Sequence, residues 1–314
     1  MRKLITPLII IICLFTCSIY IFIPNTISIQ KTKLIAAKKE GLIRVLMQDC
    51  DWNKFIEEIK SKNQDKLNQF LFKDKIFNIS YHTPTSLRIN INDKEENTNS
   101  ILGLFAKEPD STIMIWSTNI PTSINPFKRL QIYSYSKLLS NDMDLILNKW
   151  NNHFSKMESI YGIEVKREEI LDSILISTSS IKTELPTTKF IYQQIDILQK
   201  YSKKQNAIVS GYPMLNITNL GSSKYLIRIA LPVNKELSST KNIEYKRMMG
   251  RGKILAVTVV GGDSSIENAF SKFKNYIADY RFQSPAISFL SLITDRSIIK
   301  DSSKWVTRIY YPVM

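Results

Sequence analysis

The side chains best able to do chemistry in this sequence are few, and their spacing suits little of it. His82 and His153 are the only histidines, and Cys13, Cys17 and Cys50 the only cysteines. They form no CxxC, HExxH or zinc-ribbon spacing, which argues against a structural zinc and against metalloprotease chemistry. Two of the cysteines sit in an apolar N-terminal run, so Cys50 is the one thiol of the remaining chain and no disulfide forms within it. No G-x-S-x-G, Walker loop or paired-carboxylate motif occurs, and Gly250-Arg251-Gly252 lacks the third glycine of a dinucleotide turn. Gly221-Ser222-Ser223 is turn chemistry. No catalytic or metal-ligating residue is therefore assigned, and no cofactor is expected.

One charged cluster stands out. Lys241 to Lys253 (KNIEYKRMMGRGK) holds five basic residues against one acidic residue, a composition that could receive phosphate or nucleic acid. A solvated hairpin loop is the plainer reading, because no helix-turn-helix or RNA-binding motif accompanies the run. The 314 residues carry 43 Lys and Arg against 28 Asp and Glu, and that excess is spread along the chain rather than gathered in one lobe. No nucleic-acid partner is expected. At 44% hydrophobic residues the chain is globular, long enough for about two domains of roughly 100–200 residues.

Three segments must position whatever site exists. The first, Ile5 to Ile23, is a run of 19 residues without a charge, long enough as a helix to span a bilayer core of about 30 Å. A transmembrane anchor is expected over 5–23, with a cleaved signal peptide or a buried core helix as the alternatives. Leu14-Phe15-Thr16-Cys17 resembles a lipoprotein cleavage site, apart from Thr16 where a small residue is usual. Arg2 and Lys3 precede the run and Lys31, Lys33, Lys38, Lys39 and Arg44 come soon after it. A short basic N-terminus ahead of an apolar run favours extracytoplasmic placement of the residues C-terminal to the run.

The second segment, about 28–165, reads as a strand over Thr26–Leu34, a short helix around Leu42, Val45 and Leu46, and closely spaced strands over Ile76–Tyr81, Ser86–Ile91, Ile101–Ala106 and Ser111–Thr118. A long helix closes it, with Leu139, Met143, Leu147, Trp150, Phe154 and Met157 on one stripe. Ile35–Phe55, with Trp52 and Phe55 as its aromatics, resembles the opening of SRPBCC or START-like domains. Trp116–Arg129 resembles the last strand and helix entry of membrane-anchored members. That resemblance implies a helix-grip fold whose long helix and concave sheet enclose an apolar cavity, with Trp116, Phe105, Trp150 and Met143 as lining candidates. The same residues would equally fill a solid core.

The third segment, about 168–314, contains an internal repeat. Arg228–Val233 (RIALPV) recurs as Arg308–Val313 (RIYYPV), and Ile217-Thr218-Asn219 is matched by Ile293-Thr294-Asp295. Each copy runs strand, helix, then two strands; the helices carry Ile191, Ile195, Leu198 and Tyr201 in one copy and Ile266, Phe270, Phe273, Ile277 and Tyr280 in the other. Two such βαββ units ending in Lys304–Val313 (KWVTRIYYPV), with Gly252–Gly262 (GKILAVTVVGG) ahead, resemble the GyrI-like effector-binding domain found in bacterial transcription regulators. The resemblance implies an aromatic-lined cleft between the repeats and a glutamate that meets cationic ligands or serves hydrolysis. Here Phe282–Thr294 holds no acidic residue, and Leu290 stands where that glutamate would. Leucine can neither attract a cation nor act as a base. Tyr212, Tyr225, Phe289, Trp305 and Tyr310 complete the cleft candidates.

The expectation from sequence is thus an α+β protein: a transmembrane helix, a helix-grip domain and a pseudo-symmetric duplicated βαββ domain. Its expected role is that of a membrane-tethered, single-pass, noncatalytic sensor or carrier of a small apolar or amphipathic molecule, its soluble domains extracytoplasmic and its anchor in contact with membrane lipid. A hydrolase acting on a small reactive compound is the alternative. No protein partner is named by the sequence.

Overall fold

The computed structural model describes residues 13–47, 68–93, 96–107, 110–170, 174–248 and 250–314. Cys50, Trp52 and Phe55 lie outside the described residues, as do residues 5–12 of the expected anchor. Residues 13–22 are helical. That stretch ends where the buried Arg129 donates through Nε to the Ile23 carbonyl at 3.0 Å and through Nη2 to Asn25 Oδ1 at 2.9 Å. A guanidinium there satisfies carbonyls left open at a helix C-terminus. Ile19 and Ile23 are covered by protein. The anchor is corrected accordingly: no helix among the described residues is long and apolar enough to cross a membrane. The single-pass localisation, the extracytoplasmic topology and the membrane-lipid partner that rested on the anchor are not supported by the described residues, and the fold class becomes a mixture of helices with two antiparallel sheets.

The chain divides into two compact units, Met1–Ile160 and Tyr161–Met314. In the first, strands β1 (Thr26–Ile35), β2 (Gln69–Phe72), β3 (Lys75–Thr83), β4 (Ser86–Asn92), β5 (Asn97–Lys107) and β6 (Ser111–Pro121) form one sheet in the order β1-β6-β5-β4-β3-β2. Helix α1 (Lys39–Met47) follows β1, and helix α2 (Pro126–Phe154) packs against β1 and β6. Asn125 caps α2, its side chain accepting from the Phe127 and Lys128 amides, and Pro126 occupies the first turn where its missing N–H costs nothing. The expected stripe is the buried one, with Leu139, Met143, Leu147, Trp150 and Phe154 inside. β5 begins four residues before the expected Ile101. Its inward residues Thr98 and Ser100 are polar, and that hides the alternation.

The second unit is built on eight strands in the order β11-β8-β10-β9-β13-β14-β12-β7. They are β7 (Lys166–Glu169), β8 (Ile174–Lys182), β9 (Met214–Gly221), β10 (Lys224–Pro232), β11 (Glu244–Arg247), β12 (Lys253–Val260), β13 (Phe289–Leu292) and β14 (Val306–Val313). Helix α3 (Thr188–Lys204) follows β8, and helix α4 (Asp263–Asp279) follows β12. Each half is a triplet, β8-β10-β9 and β12-β14-β13, and the triplets join through a short β9–β13 ladder. The outer strands are exchanged: β7 precedes the first half but pairs with β12 of the second, and β11 precedes the second half but pairs with β8 of the first.

Register refines the repeat. Ile217 faces Ile227 and Leu292 faces Thr307, and residues 227 and 307 immediately precede the matching arginines of RIALPV and RIYYPV. Ile217 is therefore equivalent to Leu292, one residue from the match with Ile293 that the sequence suggests. Leu215 and Leu290 become equivalent to each other, and they face one another directly across β9 and β13. The pseudo-twofold axis passes between them. β9 and β10 join through Ser222 and Ser223, both at positive φ, as the tightest hairpins require. β13 and β14 are separated instead by the longer 293–305 segment.

Segment 161–167 belongs to the second unit. The Tyr161 hydroxyl donates to the buried Asp279 carboxylate at 2.9 Å, and the Tyr161 ring meets Tyr276 edge-on at 5.2 Å. Residues 161–314 are expected to give one cooperative calorimetric transition alone, and a fragment starting at Glu168 to unfold at a lower temperature because it loses Tyr161 and half of β7. No transition from the longer fragment would show that the unit depends on the rest of the chain.

Candidate functional site

The β9–β13 ladder holds only two residue pairs, Leu290 with Leu215 and Ser291 with Met214. Beyond it β9 and the segment leading into β13 part, bridged by the Asn216 side-chain amide donating to the Ser288 carbonyl at 2.8 Å. Cavities flank this parting. One, of about 410 Å³, is lined by Leu175, Ser177, Met214, Arg228, Ala230, Lys246, Ile287, Phe289 and Pro312, among others. Another, of about 520 Å³, lies among Ile191, Leu215, Ile266, Phe270, Leu290 and Arg296. Both sizes suit a small organic ligand, which commonly takes about 300–1,000 Å³.

The sequence candidates fall in different places. Phe289 lines both cavities. Leu290 lines the second, packed against the core of Ile191, Leu215 and their neighbours. The Tyr310 ring packs against Phe289 in a tilted arrangement at 5.2 Å between centroids, with the Arg308 guanidinium over it at 5.0 Å. Tyr212 and Trp305 line a separate cavity of about 970 Å³ between α3 and the 293–305 segment. Trp305 holds that segment together: its indole N–H donates to the Ile299 carbonyl at 2.8 Å, and Arg296 lies over its ring at 4.6 Å. Tyr225 sits at the hairpin end of β10, opposite Lys182 and Asn219.

In the first unit Trp116 and Trp150 are fully buried and stacked at 5.5 Å, with Phe70 and Phe77 edge-on to them. The Trp116 indole donates to Ser100 Oγ at 2.8 Å, so its polar atom is satisfied as burial demands. Met143 is buried with them, whereas Phe105 is half exposed on the outside of the sheet. These rings fill a core.

Arg296 is the most buried cation near the second cavity. It donates to Thr307 Oγ1 at 2.7 Å and lies 3.5 Å from the Asp263 carboxylate, while its backbone N–H donates to the Tyr192 hydroxyl at 2.7 Å. Burial pulls its pKa below the ordinary arginine range, with Asp263 and Tyr192 opposing. Tyr192 in turn donates to the Thr294 carbonyl at 3.1 Å, so the group ties α3 to the approach of β14. Among the described residues no three His, Cys, Asp or Glu side chains gather as a metal site.

Sequence reasoning missed the residues that give the first cavity its character. Arg228 sits inside the RIALPV repeat, and its Nη1 donates to Asn216 Oδ1 at 3.0 Å and Thr218 Oγ1 at 3.2 Å. Lys246, Arg247 and Lys253 come from the basic run, which here forms β11 and the approach to β12 and lines the cavity. Comparing the repeat copies position by position, Ala230 against Tyr310, was the available signal.

The second unit thus defines a pseudo-symmetric, duplicated sheet domain with two helices and with cavities where its halves meet. No protein-family profile matches the chain, and no curated protein does. Among solved structures it is similar to the EcmrR C-terminal domain at 19% identity and TM-score 0.42, over 48% of this chain and 98% of that one. It is also similar to a hydrolase from Listeria innocua (11%, TM-score 0.36, 48% and 92%) and to SAV2435 bound to tetraphenylphosphonium (12%, TM-score 0.32, 48% and 94%).

Proposed function

We propose that the second unit is a noncatalytic binding module of GyrI-like type, taking a small apolar or amphipathic molecule where its two halves meet. The supporting observation is the cavity of about 410 Å³ beside the parted β9 and β13, walled by Leu175, Met214, Ala230, Ile287 and Pro312. Apolar walls supply affinity by removing ligand surface from water, and a few convergent polar groups orient it. Leu290 lies against Leu215 rather than presenting a carboxylate, so the site has no general base there. The first unit, with its filled aromatic core, serves as a separate folded body rather than a second ligand pocket.

Native mass spectrometry of the full-length protein tests this reading. A small molecule retained on the 36.3 kDa chain and released on acid denaturation is the expected result. A bare chain whose thermal midpoint no compound of a lipophilic panel raises would sink it. Turnover of activated esters above a heat-denatured control, abolished by Tyr310→Phe, would replace it with hydrolysis.

A further inference from the structure

The two halves of the second unit share a backbone plan but are filled differently. In the second half the Tyr310 ring lies against Phe289, and Arg308 stacks over that ring while forming an ion pair with Glu168. The repeat makes Arg228 equivalent to Arg308 and Ala230 equivalent to Tyr310. Register supplies the rest. Glu168 faces Ile254, which faces Pro312; Lys246 faces Leu175, which faces Pro232; and Pro232 and Pro312 are the same position of the two copies. Lys246 therefore stands where Glu168 stands. The cavity where the halves meet opens over the half that lacks the ring and the carboxylate, with Phe289 and Pro312 of the other half completing its wall.

Charge shows the same asymmetry. Among the described residues the lining of this cavity includes Arg228, Lys246, Arg247 and Lys253 and no acidic residue. Lys246 and Arg247 meet Glu244 at 3.0 Å and Glu236 at 2.8 Å in exposed pairs, which water screens strongly. Among the described residues Arg228 donates through Nη1 to two neutral partners, Asn216 and Thr218, and no carboxylate neutralises its charge. An apolar cleft rimmed by one sign of charge concentrates ligands of the opposite sign.

We propose, resting on the binding reading above, that this cavity receives an amphipathic organic carboxylate. Its acid group takes the place of the Glu168 carboxylate, against Arg228 with Lys246 and Lys253 alongside. Its ring or short alkyl body takes the place of the Tyr310 side chain, over Ala230 between Leu175, Met214 and Pro312. The ligand completes the first half with what the second half carries covalently. Arginine suits this task because its planar fork grips a carboxylate through two parallel hydrogen bonds.

The test uses full-length protein and three probes of one shape: 1-naphthylacetate, the neutral 1-naphthylacetamide and the cationic 1-naphthylethylammonium, titrated calorimetrically. The carboxylate is expected to bind at least about tenfold tighter than the amide, with the ammonium weakest, since a hydrogen bond to a charged group desolvated at the site is stronger than one between neutral groups. Ala230→Tyr installs the side chain that the equivalent backbone position already holds and is expected to abolish binding of carboxylate and amide alike. Lys246→Glu supplies the missing carboxylate from an exposed strand; it is expected to weaken the carboxylate at least about tenfold and leave the amide within about twofold. Unfolding midpoints confirm that both variants remain folded. If amide or ammonium binds wild type as tightly as the carboxylate, and Ala230→Tyr still abolishes it, the carboxylate proposal is overturned and the binding reading stands. If no probe binds, or Ala230→Tyr leaves all binding intact, this cavity is not the site and both fall.

Discussion

Replacing Asp142 by alanine is expected to cost the first unit about 3–5 kcal/mol, the usual penalty for removing one partner of a buried ion pair. Asp142 is 1% exposed on α2, and its carboxylate accepts from Lys73 Nζ at 2.5 Å and from Lys75 Nζ at 2.9 Å. Lys75 is itself buried, and its other carboxylate, Asp93, is 3.8 Å away. Truncating Asp142 strands that ammonium away from water. Urea unfolding followed by a first-unit signal should show the loss as a midpoint shift at unchanged slope. Asp142→Leu combined with Lys75→Met should recover most of it, because apolar side chains of similar volume often substitute for a buried pair at little net cost. A loss below about 1 kcal/mol for the alanine variant would mean that the pair behaves as a solvent-exposed one.

Trp116→Ala should cost about as much, roughly 3–5 kcal/mol for a large aromatic removed from a packed core. The ring is wholly buried, stacked on Trp150, edge-on to Phe77 and hydrogen-bonded to Ser100. Trp116→Phe keeps part of the stack and should lose less. Chemical denaturation of both variants distinguishes a filled core from the ligand cavity that the sequence suggested. An unchanged midpoint for Trp116→Ala would mean that the ring faces open space after all.

Sequence legibility tracked how each residue's role is encoded. The α2 stripe of Leu139, Met143, Leu147, Trp150 and Phe154 was readable because apolar periodicity is a local signal. The repeat was readable because RIALPV and RIYYPV have the same residue types in the same order. The exchanged strands β7 (KREE) and β11 (EYKR) were not, since edge strands pair through backbone and carry charge rather than an apolar alternation. The hydrophobicity of Ile5–Ile23 is local information and reads as one spanning helix, whereas the hydrogen bond that Arg129 makes at Ile23 comes from α2, more than a hundred residues away, and no local pattern announces it. The cavity was missed for a related reason. Arg228, Ala230 and Lys246 are ordinary residues singly, and only strand register brings them together and sets them against Arg308, Tyr310 and Glu168.

The exchange of β7 and β11 has a topological consequence. Each half of the second unit lends its first strand to the other, so the two are clasped rather than merely adjacent. A chain cut in the 233–243 connection would leave two pieces that each still hold the other's outer strand. Two copies of a single ββαββ segment trading first strands would produce the same arrangement with true twofold symmetry. Joining both copies in one chain removes the requirement that they be identical. That freedom lets one half keep a tyrosine and a glutamate while the other keeps an alanine and a lysine, so a structure symmetric in backbone can hold an asymmetric molecule in a single orientation.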